Sequence, residues 1–363
     1  MSKTVNWMRH FELQLLDKDG KGIVLSDFKV VFDIQKTAPQ SFAGFVGNFR
    51  IYNLSKNTEN RIMGNEFAKI RVIAGYDGLE KTYDETDVGV VRAINPETIG
   101  QQDGANYGLI FNGDIRFTIT GKDNVTDSWL LLQCIDSWEG HLEAVTITTH
   151  AAGWTWQDVF DQGMKDYAPW GITKGAIPDM PPTVFPRGKV IYKTTRELMT
   201  DVSRQCNADW WYDNNQVHMR PDGKYLHEVS EAVILNANTG LIGRPQQTMG
   251  NGVNVRCLIN PNIRMGGLIR LDQASVYRAS LSADEVGNSA GRLSEQDSNG
   301  NYTVNGVVNQ QPASINTDGD YIVGCIDYHG DTRGNPWYMD MVCIAKGNAD
   351  MMKNLGAIGI GLQ

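Results

Sequence analysis

The sequence predicts a mainly β protein with an α+β insert: two β-rich regions flank a small α+β domain. Three observations predict it. Apolar and polar residues alternate with period two through residues 1–125 and again from 231 onward. The 38 glycines and 12 prolines among 363 residues favour many short strands joined by turns. Between the β-rich regions, at 126–230, stand two helix starts with recognisable capping chemistry. A chain of this length exceeds one ordinary core, so two to four subdomains are expected.

In the first region Phe11, Leu13 and Leu15 alternate with His10, Glu12 and Gln14. After the Asp19-Gly20-Lys21-Gly22 turn, Phe28, Val30, Phe32 and Ile34 alternate with Lys29, Val31, Asp33 and Gln35. A third strand carries Phe45, Gly47, Phe49 and Ile51 on one face and Asn48, Arg50 and Tyr52 on the other. One greasy and one wetter face per strand is what an antiparallel barrel or sandwich requires. Ser55 is placed to cap a short helix, whose Ile62 and Met63 are expected to face the sheet. Strand pattern resumes at Ile70, Val72 and Ala74, and Leu109 to Ile119 is expected to close the barrel. The stretch between Asp77 and Asn106, rich in Gly, Asp and Glu, reads as a protruding loop or extended hairpin.

In the middle region Trp129 to Ile135 is apolar on both faces and is expected to be buried on both. Thr155 with Asp158, and Thr194 with Glu197, have the spacing of capping boxes. Each precedes an apolar stripe: Trp156, Val159, Phe160 and Met164 in one helix, Leu198, Met199, Val202 and Cys206 in the other. A proline-rich linker (Pro178, Pro181, Pro182, Pro186) separates them, and a hairpin turning at Asp213-Asn214-Asn215 follows.

The last region opens with Gly240-Leu-Ile-Gly-Arg-Pro245, then Val253, Val255, Cys257 and Ile259 alternate with Asn254, Arg256, Leu258 and Asn260. Residues 283–318, mostly Ser, Asn, Asp, Gly and Gln, read as a loop or partly disordered excursion. A hairpin from Tyr321 to Ile344, turning at 329–336, closes the region, and the tail 353–363 is weakly apolar. No internal repeat is visible.

A formal charge of −9 without any basic run argues against a nucleic-acid-binding surface, which needs cations against phosphate. Five scattered cysteines, with no CxxC or Cys/His spacing, suggest neither zinc nor a disulfide framework. Cys134, Cys257, Cys325 and Cys343 sit in apolar strand patterns, where a free thiol behaves as a small hydrophobe. The expectation is a reduced protein, assembled in the cytosol, without signal peptide or membrane span.

Chemistry-bearing motifs are weak. Gly287-Asn-Ser289-Ala-Gly291 has the letters of a nucleophile elbow but lacks the buried strand before it and the helix after it. His227-Glu228 begins like a zincin, yet Glu231 stands where the second histidine is required. His329 and Asp331, with Asp327, have the types for a base–acid pair or a cation site, but a solvated turn uses the same residues. Asp84 and Glu85 belong to a charged loop. Trp154, Trp156, Trp210, Trp211 and Trp337 are of the type a carbohydrate platform uses, and equally of the type that packs cores. No P-loop, dinucleotide fingerprint, cofactor site or catalytic constellation emerges.

Several stretches together resemble the baseplate hub family of tailed bacteriophages, the hub of Mu-like and T-even-type tails. They are Phe49-Arg-Ile-Tyr-Asn-Leu-Ser55 with Arg71-Val-Ile-Ala-Gly-Tyr76, then Leu109-Ile-Phe-Asn-Gly-Asp-Ile115, then Thr194 to Cys206 with Asp209-Trp-Trp-Tyr212. The segment 240–267 follows, with Asn260-Pro261 and Gly266-Gly267, and last Asp318-Gly-Asp-Tyr-Ile-Val323 with His329-Gly-Asp-Thr-Arg-Gly334. They occur in family order across nearly the whole chain. The resemblance implies two tail-tube-like antiparallel β-barrels, at 1–125 and 231–350, flanking the insert at 126–230, with a C-terminal tail at 351–363. It implies a homotrimer in the virion that matches a six-fold tail tube to a three-fold spike and contributes to a DNA-delivery channel that DNA crosses without specific binding. Implied partners are the tail tube or distal tail protein, the central spike, the tape measure and other baseplate proteins, with the host envelope met only during infection. The rival reading is a tail-associated hydrolase or carbohydrate-binding protein acting on that envelope.

Overall fold

The computed structural model describes residues 8–37, 44–78, 105–222, 224–226, 232–247, 252–271 and 319–345, with short strand segments at 295–296, 302–304 and 307–309. The first region supplies β1 (Arg9–Leu16), β2 (Gly22–Leu25), β3 (Val30–Lys36), β4 (Val46–Tyr52), β5 (Lys69–Tyr76), β6 (Asn106–Lys122) and β7 (Ser128–Ile135). They lie in the order β3-β4-β7-β6-β5-β1-β2, every pair antiparallel. The period-two pattern decides which face is buried. Phe32 sits opposite Phe49 and Phe49 opposite Leu132, all with at most 1% exposure, whereas Asp33 and Asn48 point the other way. Each such buried side chain contributes about 1.5–3 kcal/mol.

Helix α1 (Lys56–Met63) starts at Ser55, whose hydroxyl accepts the Thr58 N–H at 3.2 Å. Ile62 is buried as expected, but Met63 is 45% exposed and does not face the sheet. β7 also departs from expectation: Leu130, Leu132 and Cys134 are buried, while Trp129, Leu131 and Gln133 are only half-buried. β6 gives Asn106–Asp114 to β5 and Asp114–Lys122 to β7, so it bridges two stretches of sheet instead of sealing a ring.

The middle region holds α2 (Trp138–Glu143), β8 (Val145–His150), α3 (Trp156–Tyr167), β9 (Thr173–Lys174), β10 (Lys189–Thr194), α4 (Thr195–Gln205), β11 (Ala208–Asp213) and β12 (Gln216–Pro221). At α3 the capping box closes reciprocally, Thr155 N–H to Asp158 at 2.8 Å and Asp158 N–H to the Thr155 hydroxyl at 3.3 Å. At α4 the Thr194 N–H donates to Glu197 at 3.3 Å. The apolar stripes of α3 and α4 meet over β11 and β12, burying Val159, Phe160, Leu198, Met199, Val202 and Val217 in a hydrophobic cluster of their own. Gly163 permits the close approach, since a Cβ there would lie 2.4 Å from the Met199 methyl.

The last region adds β13 (Val233–Leu235), β14 (Leu241–Gln247), β15 (Gly252–Leu258), β16 (Leu268–Leu271), β17 (Glu295–Gln296), β18 (Tyr302–Val304), β19 (Val307–Asn309), β20 (Asp320–Asp331) and β21 (Trp337–Ala345). β17, β18 and β19 form a small antiparallel sheet inside the stretch read from sequence as a loop or partly disordered excursion. The remainder run β14-β15-β21-β20, with β16 on β20 and β13 parallel to β16. β14 is an edge strand, where Pro245 removes no needed ladder bond.

β20 then pairs with β3, His329 opposite Asp33 and Gly330 opposite Phe32, so both β-rich regions join in one thirteen-stranded sheet. One hydrophobic cluster spans them, from Phe11 and Phe32 to Trp337 and Cys343. Among the described residues the strand path stays open, and no barrel closes. The seam is tight: a Cβ on Gly330 would lie 2.1 Å from the Phe32 ring, and Trp337 meets that ring edge-on at 5.7 Å. The Arg9 guanidinium donates to the carbonyls of Gly334 at 2.6 Å and Asn335 at 3.1 Å, fastening the β20–β21 turn to β1.

Candidate functional site

Alternation leaves the sheet with an open face opposite the core, and the β20–β3 seam makes it continuous across both regions. Cross-strand register sets one row as Tyr338, His329, Asp33, Asn48, Gln133 and another as Arg256, Asp340, Asp327, Gln35. His329 Nδ1 lies 2.7 Å from Asp33 and Nε2 lies 3.9 Å from Asp340. Arg256 grips Asp340 with two bonds, 2.7 and 2.8 Å, its guanidinium 4.4 Å from the Tyr338 ring centre. Gln133 donates to Asn48 at 3.3 Å and accepts from Arg116 at 3.3 Å. The bond to Asp33 holds the His329 pKa above its ordinary value, and burial raises that of Asp327. Beyond Gln133 the face turns apolar, with Phe117 and Ile119 at 39% and 46% exposure.

This arrangement pairs charges instead of poising one. Both His329 nitrogens face carboxylates. Asp331, its suspected partner, instead accepts the N–H groups of Arg333 and Gly334 at 2.9 and 2.8 Å and closes the turn. The base–acid pair read from sequence therefore does not form between those residues. Trp154 and Trp156 are buried against Phe185, Trp154 stacked on it at 4.1 Å, with the Lys189 ammonium over both indoles. Trp211 and Trp337 are buried too, and the half-buried Trp210 donates to the Thr200 hydroxyl. The four buried indoles offer no open ring face of the kind that a sugar platform needs. Ser289 with its flanking glycines, His227-Glu228 and Asp84/Glu85 lie outside the described residues. Among the described residues no cluster of His, Cys, Asp and Glu is placed to hold a metal ion, and no helix is long and apolar enough to cross a membrane.

Sequence reasoning missed the joint between the long sheet and the middle region. Lys36, at the end of β3, reaches Asp213 at 2.6 Å, both buried. Asp136, just after β7, accepts the N–H groups of Asn214 and Asn215 at 2.6 and 3.0 Å and the Ser137 hydroxyl at 2.8 Å. Burial, with the Asp213 carboxylate beside it, pushes the Asp136 carboxyl up to about 7. Asp114 accepts the Glu139 N–H at 2.9 Å, and Lys69 donates to the Trp170 carbonyl at 3.2 Å. The β11–β12 turn, read from sequence only as a hairpin turn, is the plug of this joint. A second buried set lies at the far end of β1: His10 sits 2.6 Å from Asp77 and 3.0 Å from Glu12, stacked on Tyr107 at 3.7 Å. Burial opposes charge on that imidazole, but the two carboxylates outweigh it and hold its pKa above the ordinary value.

The fold of the chain has a solved counterpart. Over 95% of this chain and 98% of that one, the fold matches the 43 kDa tail protein of prophage MuSo2 from Shewanella oneidensis, with TM-score 0.50 and 8% identity. The chain has the fold of a Mu-type prophage tail protein. A tail protein from Neisseria meningitidis MC58 matches over 94% of this chain and 99% of that one, at TM-score 0.46 and 9% identity. The prophage tail protein gp18 from Listeria monocytogenes EGD-e matches over 96% and 99%, at TM-score 0.39 and 9% identity. No family model and no curated protein matches the sequence. The hub resemblance read from scattered motifs and this likeness of fold point the same way.

Proposed function

We propose that the chain is the structural baseplate hub of a phage tail. In this reading it is a homotrimer that adapts a six-fold tail tube to a three-fold central spike and forms part of the DNA-delivery channel. The observation that carries the reading is the seam between β3 and β20, which divides the long sheet into a seven-strand and a six-strand part on a tail-protein fold. Each part stands for one of the two tube-like units expected at 1–125 and 231–350 around an insert at 126–230, the first unit also taking in β7 (Ser128–Ile135) from the start of that insert. Two such units in each of three chains present six, the number a six-fold tube requires.

The charge pattern of the open face supports a channel role. His329 and Arg256 are already engaged by Asp33 and Asp340, so phosphates passing along that row find little free cation. The work is mechanical, not enzymatic: seal the tube against the spike and later let DNA through. Its place is the virion tail after assembly in the host cytoplasm, against tube or distal tail protein, spike, tape measure and other baseplate proteins. The test is copy number. Native mass spectrometry of the chain co-expressed with its spike should find three copies of the chain per spike complex. Fewer than three, both alone and with the spike, would refute the hub. A peptidoglycan zymogram showing activity that His329→Ala removes would establish the hydrolase reading instead.

A further inference from the structure

Lys36 and Asp213 face each other inside the joint between the long sheet and the middle region. The Lys36 ammonium lies 2.6 Å from Oδ1 of Asp213, and both residues are buried. The rings of Phe45 and Tyr328, centred 5.3 and 5.9 Å from Nζ, line the pair with apolar surface. The other lysine–carboxylate pairs among the described residues are wetter. Their lysines are 78% exposed at Lys56–Glu59, 28% at Lys69–Asp114 and 33% at Lys193–Asp201. Burial strips water from both charges of the Lys36–Asp213 pair, a cost that a neutral product does not carry. A third group completes the set. Asp136, itself buried, stands near enough to feel both charges. Burial first, then the Asp213 carboxylate, raises its pKa to about 7, so below that pH it brings a proton to the pair.

We propose that Lys36 and Asp213 condense to an intramolecular isopeptide bond, with Asp136 as the acid that relays the proton. The balance closes within the chain. A proton of the ammonium crosses the hydrogen bond to the carboxylate, leaving a neutral amine against a carboxylic acid. The Nζ lone pair then attacks Cγ of Asp213, which the 2.6 Å hydrogen bond sets at about 3–3.5 Å, the separation of a near-attack pair. Asp136 protonates the departing hydroxyl and recovers the proton released by nitrogen. One N–C bond forms, one C–O bond breaks and one water leaves, without oxidant, cofactor or second substrate. Backbone anchors both reactants. Lys36 ends β3 opposite Ile326, and Asp213 ends β11 opposite Gln216. The charged and titratable groups facing Asp136 are Lys36 from β3 with Asp213 and Tyr212 from β11, while the Asn214 and Asn215 N–H groups orient its carboxyl. Proton transfer must precede attack, so the step is slow beside folding: fresh protein holds the ion pair and aged protein the amide. The bond ties the sheet to the middle region between residues 177 positions apart, whether or not the chain is a hub.

Tryptic mapping of the full-length protein, fresh and aged in solution, tests this. In aged protein trypsin is expected to spare Lys36 and release a branched peptide joining Val30–Arg50 to Gln205–Lys224, one water lighter than the two together. Lys36→Arg keeps the cation but lacks the amine, and Asp213→Ala lacks the acid, so each should give linear peptides only. Should either variant fail to fold, the wild type alone decides, since its branched peptide is present or absent. Asp136→Asn, folded by circular dichroism, should form the bond about a hundredfold more slowly. The wild-type rate should fall as pH climbs through about 7, a profile that a merely structural Asp136 would not produce. Linear peptides alone in aged wild type, or a branch at other residues, would overturn the bond. Water lost instead as a succinimide at Asp19-Gly20 leaves Lys36 cleavable and would overturn it as well. A rate flat in pH, or an Asp136→Asn variant that bonds at the wild-type rate, would overturn the role of Asp136.

Discussion

Raising the pH from about 5 to about 8 should weaken the folded protein by about 2.5 kcal/mol through a single carboxyl, Asp136. The group is 1% exposed and is pushed from 3.8 to about 7, first by burial and then by Asp213. Because the folded state holds this proton more tightly than the unfolded chain, stability falls as pH rises between those two values. The slope is about 1.4 kcal/mol per pH unit, and it vanishes above the folded pKa. Asp136→Asn has no proton to lose, so this slope disappears. The asparagine still accepts the Asn215 N–H, but its amide opposes one of the two backbone donors, at a cost of about 1–3 kcal/mol. The variant should therefore be the weaker protein at pH 5 and close most of the gap by pH 8. Urea titrations of both proteins, followed by tryptophan fluorescence, measure the difference of slopes. His10 and His329, whose raised pKa values also remove stability as pH climbs through them, are common to both proteins and cancel. Equal slopes would refute the reasoning. So would a wild type that gains on the variant as pH rises, since the two N–H donors would then be holding Asp136 as a carboxylate.

Other outcomes follow from the same contacts. Lys36→Met should cost about 3–5 kcal/mol by stranding Asp213, and pairing it with Asp213→Leu should recover most of that loss in chemical denaturation. Gly330→Ala should cost about 1–3 kcal/mol by driving a methyl into Phe32, with Phe32→Leu restoring part of it. Reductant should leave the thermal midpoint within about 2 °C, because all five cysteines are free thiols. Burial pushes the Cys257 thiol up to about 12 and Cys325 up to about 11, so both should resist a thiol reagent at neutral pH until the protein is unfolded.

Strands and helix starts were legible because they are local. Phe32 and Ile34 against Asp33 and Gln35 declare a face, and Thr155 with Asp158 declares a start. What joins distant segments carries no such period. Nothing in residues 30–36 announces a partner at 326–331, so the single sheet could not be read where two barrels were expected. The joint was hidden for another reason. Asp136 ends an apolar run and Asp213-Asn214-Asn215 spells a turn, and both patterns signify solvent until the two are brought face to face. In β8 hydropathy misleads outright. Val145 and Ile147 stand outward and Thr146 inward, where it meets the Thr195 hydroxyl at 3.1 Å. The hub resemblance rested on order along the chain, and that order survives because it follows the order of the elements.

The seam between β3 and β20 also sets a schedule for biosynthesis. Its partners Asp33 and His329 are 296 residues apart. At about 5–20 residues per second, the ribosome completes the second strand roughly 15–60 s after the first. Through that interval β3 waits with one hydrogen-bonding edge unmatched, the condition in which a strand recruits the wrong neighbour. Asp33, Gln35 and Lys36 put two charges and an amide along the waiting edge, a deterrent to greasy strangers that later becomes the pairing code for β20 and the anchor for Asp213. Synthesis, not sequence, decides how long that deterrent must hold.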